Sequence, residues 1–246
     1  MKVFVIENNY GDEASENNLQ TGSELQADLQ SGNQPGAYTE SGSGNGTSMS
    51  SGSTLRDTGT SGNGSLSELT LNETGWYLIA DSAVSNTGKP FYLPEGRGRV
   101  TVALGPALRV SRLGKSIARK FAHRYYSEYA PAVHFRLPDY KAALQKAGMS
   151  ADASVSFDRS LFVGEFHPVS ELKELTLFRN GEKVTEWRYG AMKKTLDEVL
   201  SEISLMNTLK MGDLVLPGIT EGVEIKEGDR LDVWVNGVLS FQVKMK

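Results

Sequence analysis

The 246-residue sequence contains no cysteine, which removes a disulfide framework, a thiolate metal site and a cysteine nucleophile together. No segment approaches the roughly 18 apolar residues of a membrane span. The apolar run in the opening MKVFVIENNY is too short for the core of a signal peptide. A cytoplasmic protein with no membrane partner is therefore expected. Neither sign of charge dominates: 26 Lys and Arg stand against 30 Asp and Glu, and the basic residues do not gather on one segment. Nucleic acid is accordingly not an expected partner. There is no Gly-x-Ser-x-Gly elbow, and the Gly-rich tract lacks the Lys-Ser/Thr end of a phosphate loop. One more absence is local. Residues 97–118 include no Asp or Glu, so the strand-like text TVALGPALRV offers no carboxylate to a hard divalent cation, which takes oxygen ligands.

What is present divides sharply by composition. Residues 2–6 read as a short buried strand. From Gly11 to about Gly75 the text turns to Gly, Ser, Asn, Thr and Gln, and near-identical pieces recur as SGSGNGT at 41–47 and TSGNGS at 60–65. Such composition cannot bury enough surface to offset its ordering entropy, and it reads as a long Gly/Ser-rich flexible insertion. The Asn-x-Ser/Thr triplets at Asn45, Asn63 and Asn72 arise readily by chance in such text. The organisation expected is thus an N-terminal strand (1–10), a low-complexity insertion (11–75) and a packed domain (76–246).

Within that domain, 76–80 reads as a strand, and 99–110 as a strand interrupted at Gly105-Pro106, where proline removes a ladder donor and suggests an edge, a bulge or a break. Residues 116–129 are predicted as a helix, with Ile117, Phe121 and Tyr125 on one face. A strand is expected at 131–135. Pro138 suits the first turn of a following helix with Tyr140, Ala143, Leu144 and Ala147 as its stripe, and Gly148 stops it. Asn180-Gly181 and Asn236-Gly237 each join two strand-like runs, a strong hairpin signal because both residues tolerate positive φ. Between the hairpins, Thr195 and Glu198 form a capping box for a helix over 196–206. An α+β architecture rich in antiparallel strands follows.

These elements, in this order, resemble the fumarylacetoacetate hydrolase family. The resemblance rests on MKVFVIENNY at the start, RLGKSIARKFAHRYY at 112–126, SFDRSLFVGEFHPVS at 156–170, LFRNGEKV at 177–184 and TLKMGDLVLPGITEGV at 208–223. It implies a mixed β-roll core with peripheral helices, assembled as a homodimer. It also implies a Mg²⁺, Mn²⁺ or Ca²⁺ ion that chelates a small oxo acid while a His–Glu pair activates water for C–C cleavage. Most of that machinery has no counterpart here. The positions matching the family's Glu-x-Glu are Ala103 and Gly105, and its third metal carboxylate falls at His134. The Arg of the following turn is Pro138, while its Asp is kept as Asp139. The expected His falls at Glu13, the helix Glu persists at Glu16, and a Lys falls at Val155 before Phe157 and Asp158. The Gly-Thr-Pro loop reads Gly218-Ile219-Thr220.

No residue is therefore assigned a catalytic role, and no cofactor is expected. His134 is a weak metal candidate, since imidazole suits transition metals, and reads more simply as a strand histidine with a local hydrogen bond. Tyr10, Asp139, Asp158 and Gly218 are the candidate pocket residues. Arg109 reads as an outward strand charge, His123 as structural or interfacial, and His167 as a turn residue. Phe121, Tyr125, Tyr126 and Tyr129 crowd one end of the predicted helix, and some are expected at a subunit interface. Three readings compete. One is a scaffold or binding homologue with a dismantled metal site, inactive or very weakly active. Another is a metal-dependent hydrolase or isomerase of acylpyruvate or 2-oxo acid substrates with a rearranged set such as His134, Asp139, Asp158 and Glu165. The third is a non-enzymatic module tethered by the Gly/Ser tract.

Overall fold

The computed structural model describes residues 1–11 and 75–246. The expected insertion, along with Glu13 and Glu16, lies outside the described residues apart from the ends of that insertion. In chain order the strands are β1 (Val3–Glu7), β2 (Gly75–Ile79), β3 (Val84–Asn86), β4 (Val100–Val110), β5 (Tyr126–Arg136), β6 (Leu161–Val163) and β7 (His167–Pro168). They continue with β8 (Glu174–Arg179), β9 (Glu182–Arg188), β10 (Leu214–Leu216), β11 (Val223–Ile225), β12 (Arg230–Val235) and β13 (Val238–Lys244). The two α-helices among the described residues are α1 (Pro138–Lys146) and α2 (Leu196–Met206). No helix among them is long and apolar enough to cross a membrane.

The strands form two sheets. The larger runs β2-β1-β10-β4-β5-β6-β3, with β11 also on β4 and β7 also on β5; the smaller runs β13-β12-β8-β9. Pairings β1–β10 and β3–β6 are parallel and the rest antiparallel, so the large sheet is mixed. Period-two alternation along β4 and β5 gives that sheet two apolar faces. Leu104, Leu108, Val133 and Phe135 belong to one core with Leu175, Trp187, Leu231 and Val233 of the smaller sheet and with α2. Ala103, Ala107, Ala130 and Ala132 belong to a second cluster with Val3, Val5, Leu161, Leu214 and Leu216.

Local chemistry and structure agree at the hairpins and at α2. Asn180 and Gly181 have φ of 55° and 90°, Asn236 and Gly237 of 47° and 80°, as a tight turn between twisted strands requires. At α2, Glu198 donates its amide to Thr195 Oγ1 and accepts the Thr195 amide at 2.8 Å. Leu196, Val199, Leu200 and Ile203 then bury one helical stripe. Helix α1 starts at Pro138 and ends before Gly148, whose φ is 69°. Of its expected stripe, Leu144 is buried and Tyr140 half-buried, while Ala143 and Ala147 are exposed.

Three expectations are corrected. The strand at β4 is not interrupted: it pairs with β5 from Thr101↔Arg136 through Gly105↔Ala132 and Pro106↔Pro131 to Val110↔Tyr126. The prolines are accommodated by parity. In β4 the amides of Leu104 and Val110 point toward Thr220 and Asp213, so that of Pro106 would too. It falls between the residues paired to β11 and those paired to β10, where no strand asks for a donor. Pro131 shares its parity with Phe135, which donates to Ser160, and sits in the gap between β6 and β7.

The helix predicted over 116–129 is instead a 3-10 turn at Arg119–Tyr125 followed by β5. Pairing of β5 with β4 over ten residue pairs, those of Tyr126, Glu128 and Tyr129 among them, outweighs the local period. Phe121 is 41% exposed between Lys120 and Arg124. Tyr129 is fully buried in the chain's own core, and the Tyr126 hydroxyl donates to Asp197 at 2.8 Å. Tyr129 is therefore internal and unavailable to a partner subunit. His167, expected in a turn, is a strand residue opposite Tyr129.

Candidate functional site

The register brings together the three positions at which the family resemblance implies metal ligands. Ala103 lies directly opposite His134, and Gly105 follows two residues along the same face of β4. All three are buried, and the space is filled. A Cβ on Gly105 would lie 2.5 Å from the Gly218 carbonyl oxygen and 2.9 Å from Ile219 Cγ2. The loop that supplies them is pinned on both sides. Asn9 Nδ2 donates to Pro217 O at 2.6 Å, Thr220 donates its amide to Leu104 O at 2.8 Å, and the Leu104 amide donates to Thr220 Oγ1 at 3.0 Å.

His134 is fully buried, with Nε2 2.8 Å from Val155 O and Nδ1 3.1 Å from the Tyr77 hydroxyl. A carbonyl only accepts, so Nε2 carries the proton and Nδ1 accepts from Tyr77. Burial, with a smaller push from nearby Arg136, depresses its pKa to about 3, so the ring is neutral. Both nitrogens are then engaged, and neither lone pair is left for a metal. This donor set does not fit a divalent ion. Among the described residues no group of three or more His, Asp or Glu could hold one. The rearranged set is not assembled: Asp139 is ion-paired, Asp158 and Glu165 are exposed, and His134 is closed in.

The other candidates fall into separate places. Tyr10 donates to Glu186 O at 2.9 Å, accepts the Arg188 amide at 3.0 Å and stacks on Trp187. It locks the end of β1 to β9, close to Gly218. Its neighbour Asn9, fully buried, also accepts from the Lys194 amide at 2.6 Å. Asp158 stands exposed in the turn that the Ser160 amide closes onto Phe157 O at 2.9 Å. Asp139 accepts from the Arg99 amide and guanidinium at 2.8 Å, and those bonds hold its carboxyl below the usual range. Arg109 pairs with Glu128 and covers Phe166 at 4.2 Å. His123 is exposed.

One register step beyond Ala103 and His134, on the same face, lie Thr101 and Arg136. They line a cavity of about 330 Å³ with Arg99, Lys141, Ser154 and Val155. Leu137, Pro138 and Gly222 complete it. Sequence reasoning missed this cluster. The available signal was Arg136 two residues after His134, hence on its side of the strand, with Lys141 in the first turn of α1.

Comparison with known proteins agrees with this architecture. The model for the fumarylacetoacetate (FAA) hydrolase C-terminal region matches residues 60–244. The mitochondrial oxaloacetate tautomerase of Mus musculus is 27% identical over 182 residues, covering 72% of this chain and 82% of that protein. The homoprotocatechuate catabolism bifunctional isomerase/decarboxylase of Escherichia coli is 27% identical over 165 residues, 66% of this chain and 37% of that one. The fumarylpyruvate hydrolase of Pseudomonas aeruginosa, in complex with Mn²⁺ and pyruvate, shares the fold at a TM-score of 0.70 and 17% identity, covering 100% of this chain and 89% of that one. On fold, motif order and family match together, this chain belongs to the fumarylacetoacetate hydrolase family, with no intact metal-binding motif identified among the described residues.

Proposed function

We propose that this chain uses the family fold without the family's metal chemistry, as a binding or scaffold homologue that does not cleave or isomerise oxo acids through a divalent cation. The observation that carries this reading is His134. It occupies the position of a ligand carboxylate, yet its two nitrogens are committed to Val155 and Tyr77. The position opposite it is an alanine, and the adjacent Gly105 is covered by Ile219. A metal would have to break a buried hydrogen-bond pair and find its oxygen ligands elsewhere, each step costing about 1–3 kcal/mol per polar group left unpaired. Without a Lewis acid at Ala103, Gly105 and His134, these three positions supply no group that would stabilise an enolate or a tetrahedral oxyanion.

The test is an assay of oxaloacetate tautomerisation and acylpyruvate hydrolysis with and without Mg²⁺ or Mn²⁺, alongside elemental analysis of the purified protein. The expected result is no stoichiometric metal and no turnover above the metal-only background. Turnover that requires added metal and disappears with EDTA would overturn the reading.

A further inference from the structure

The cavity beside the replaced ligand positions holds an unbalanced charge. Arg99 is paired with Asp139 at 2.8 Å and Lys141 with Glu7 at 3.2 Å. Arg136, half-buried on the same wall, pairs with no carboxylate of the described residues. A guanidinium drawn partly out of water without a counter-ion is unfavourable unless something answers it. Gly222 preserves the room it needs. A Cβ there would come within 2.8 Å of Thr101 Oγ1 and 3.0 Å of Arg136 Nη2. The planar fork of arginine matches the two oxygens of a carboxylate or phosphate. Thr101 adds a hydroxyl, the Ser154 hydroxyl being donated to Ala151 O at 2.5 Å, while Leu137, Pro138 and Val155 make part of the lining apolar.

We propose that this cavity binds the carboxylate of a small organic acid with a short apolar body, anchored by Arg136 and held without a metal ion. The proposal rests on the metal-free reading above. One unpaired guanidinium balances a monoanion, and the apolar wall has nothing to offer a bare phosphate. A carboxylate with a hydrocarbon body uses both halves of the lining, as small-molecule sites generally do.

Isothermal titration of the whole chain in EDTA, with hexanoate, phenylacetate and inorganic phosphate as probes, tests this. At least one of the two carboxylates is expected to bind saturably at one site per chain, and phosphate more weakly. Arg136→Gln is expected to weaken that binding about ten-fold or more, with partial recovery in Arg136→Lys. Should Arg136→Gln fail to fold, Lys141→Gln on the rim of the cavity serves instead, with a several-fold loss expected. No saturable binding by either carboxylate, tighter binding of phosphate, or affinity unchanged in the variants would overturn the proposal while leaving the metal-free reading standing. Carboxylate binding that appears only on adding Mg²⁺ or Mn²⁺ would overturn both.

Discussion

Adding a single methyl group at Gly105 tests whether the face shared by Ala103, Gly105 and His134 is packed solid. The new Cβ would meet the Gly218 carbonyl oxygen at 2.5 Å and Ile219 Cγ2 at 2.9 Å, where ordinary carbon contacts lie at about 3.5–4.0 Å. Relief requires the 217–220 segment to retreat by a large fraction of an ångström. That segment is tied down by Asn9 on one side and by the two Leu104–Thr220 bonds on the other. Overpacking of this kind costs about 1–3 kcal/mol. At about 2–4 °C per kcal/mol for a domain of this size, Gly105→Ala should melt roughly 2–12 °C below the parent. Gly190→Ala, whose Cβ would meet nothing within 4 Å, is the control and should melt with the parent. The full restoration, Ala103→Glu with Gly105→Glu and His134→Asp, should fare worse. It adds buried carboxylates and removes the partner of both Tyr77 and Val155. Read from the sequence alone, restoring the carboxylates should restore the metal; read from the packing, it should not. Scanning calorimetry with Mn²⁺ titration decides. A Gly105→Ala variant as stable as the parent, or a restored triple variant that binds stoichiometric Mn²⁺ without loss of stability, would refute the reasoning.

Other outcomes follow from individual groups. Unfolded, His134 titrates near its ordinary 6.5, and folded, near 3. Between those values the unfolded chain binds more protons, so this group's effect is to lower stability as pH falls through that window, by at most about 1.4 kcal/mol per pH unit. His134→Asn, whose Oδ1 can keep the Tyr77 bond without titrating, should show a shallower acid limb in thermal melts; parallel limbs would refute the assignment. Asn9→Ala should leave the Pro217 carbonyl and the Lys194 amide without their side-chain partner. A loss of about 2–4 kcal/mol in urea unfolding is expected, and less than half a kcal/mol would contradict it. The two-fold assembly that the family resemblance implies predicts twice the 26.8 kDa chain mass in light scattering, and a single-chain mass across micromolar concentrations would rule it out.

What could be read in advance was whatever short-range chemistry decides. Thr195 and Glu198 cap α2 through contacts three residues apart, and the two Asn-Gly turns rest on adjacent residues that tolerate positive φ. The failures share a different cause. Residues 116–125 carry a helical period, but Tyr126–Arg136 is claimed by β4, a strand that the local period cannot see. Pro106 looks like a break until the parity of its missing amide is known, and that depends on where β10 and β11 stop. Arg136 belongs to no motif; it becomes a candidate only when register sets it beside Thr101 and the chain returns with Gly222. The motif text was legible, and β4–β5 pairing sets Ala103 against His134, two of the positions at which the resemblance implies ligands. Their meaning was not. Lost carboxylates look the same in a sequence whether they leave a hollow or a packed wall, and the approach of Gly218 and Ile219 to Gly105 identifies the wall. At Gly105 that wall is the Gly218 carbonyl and the Ile219 side chain, whereas the neighbouring cavity is open and carries the guanidinium of Arg136 on its lining.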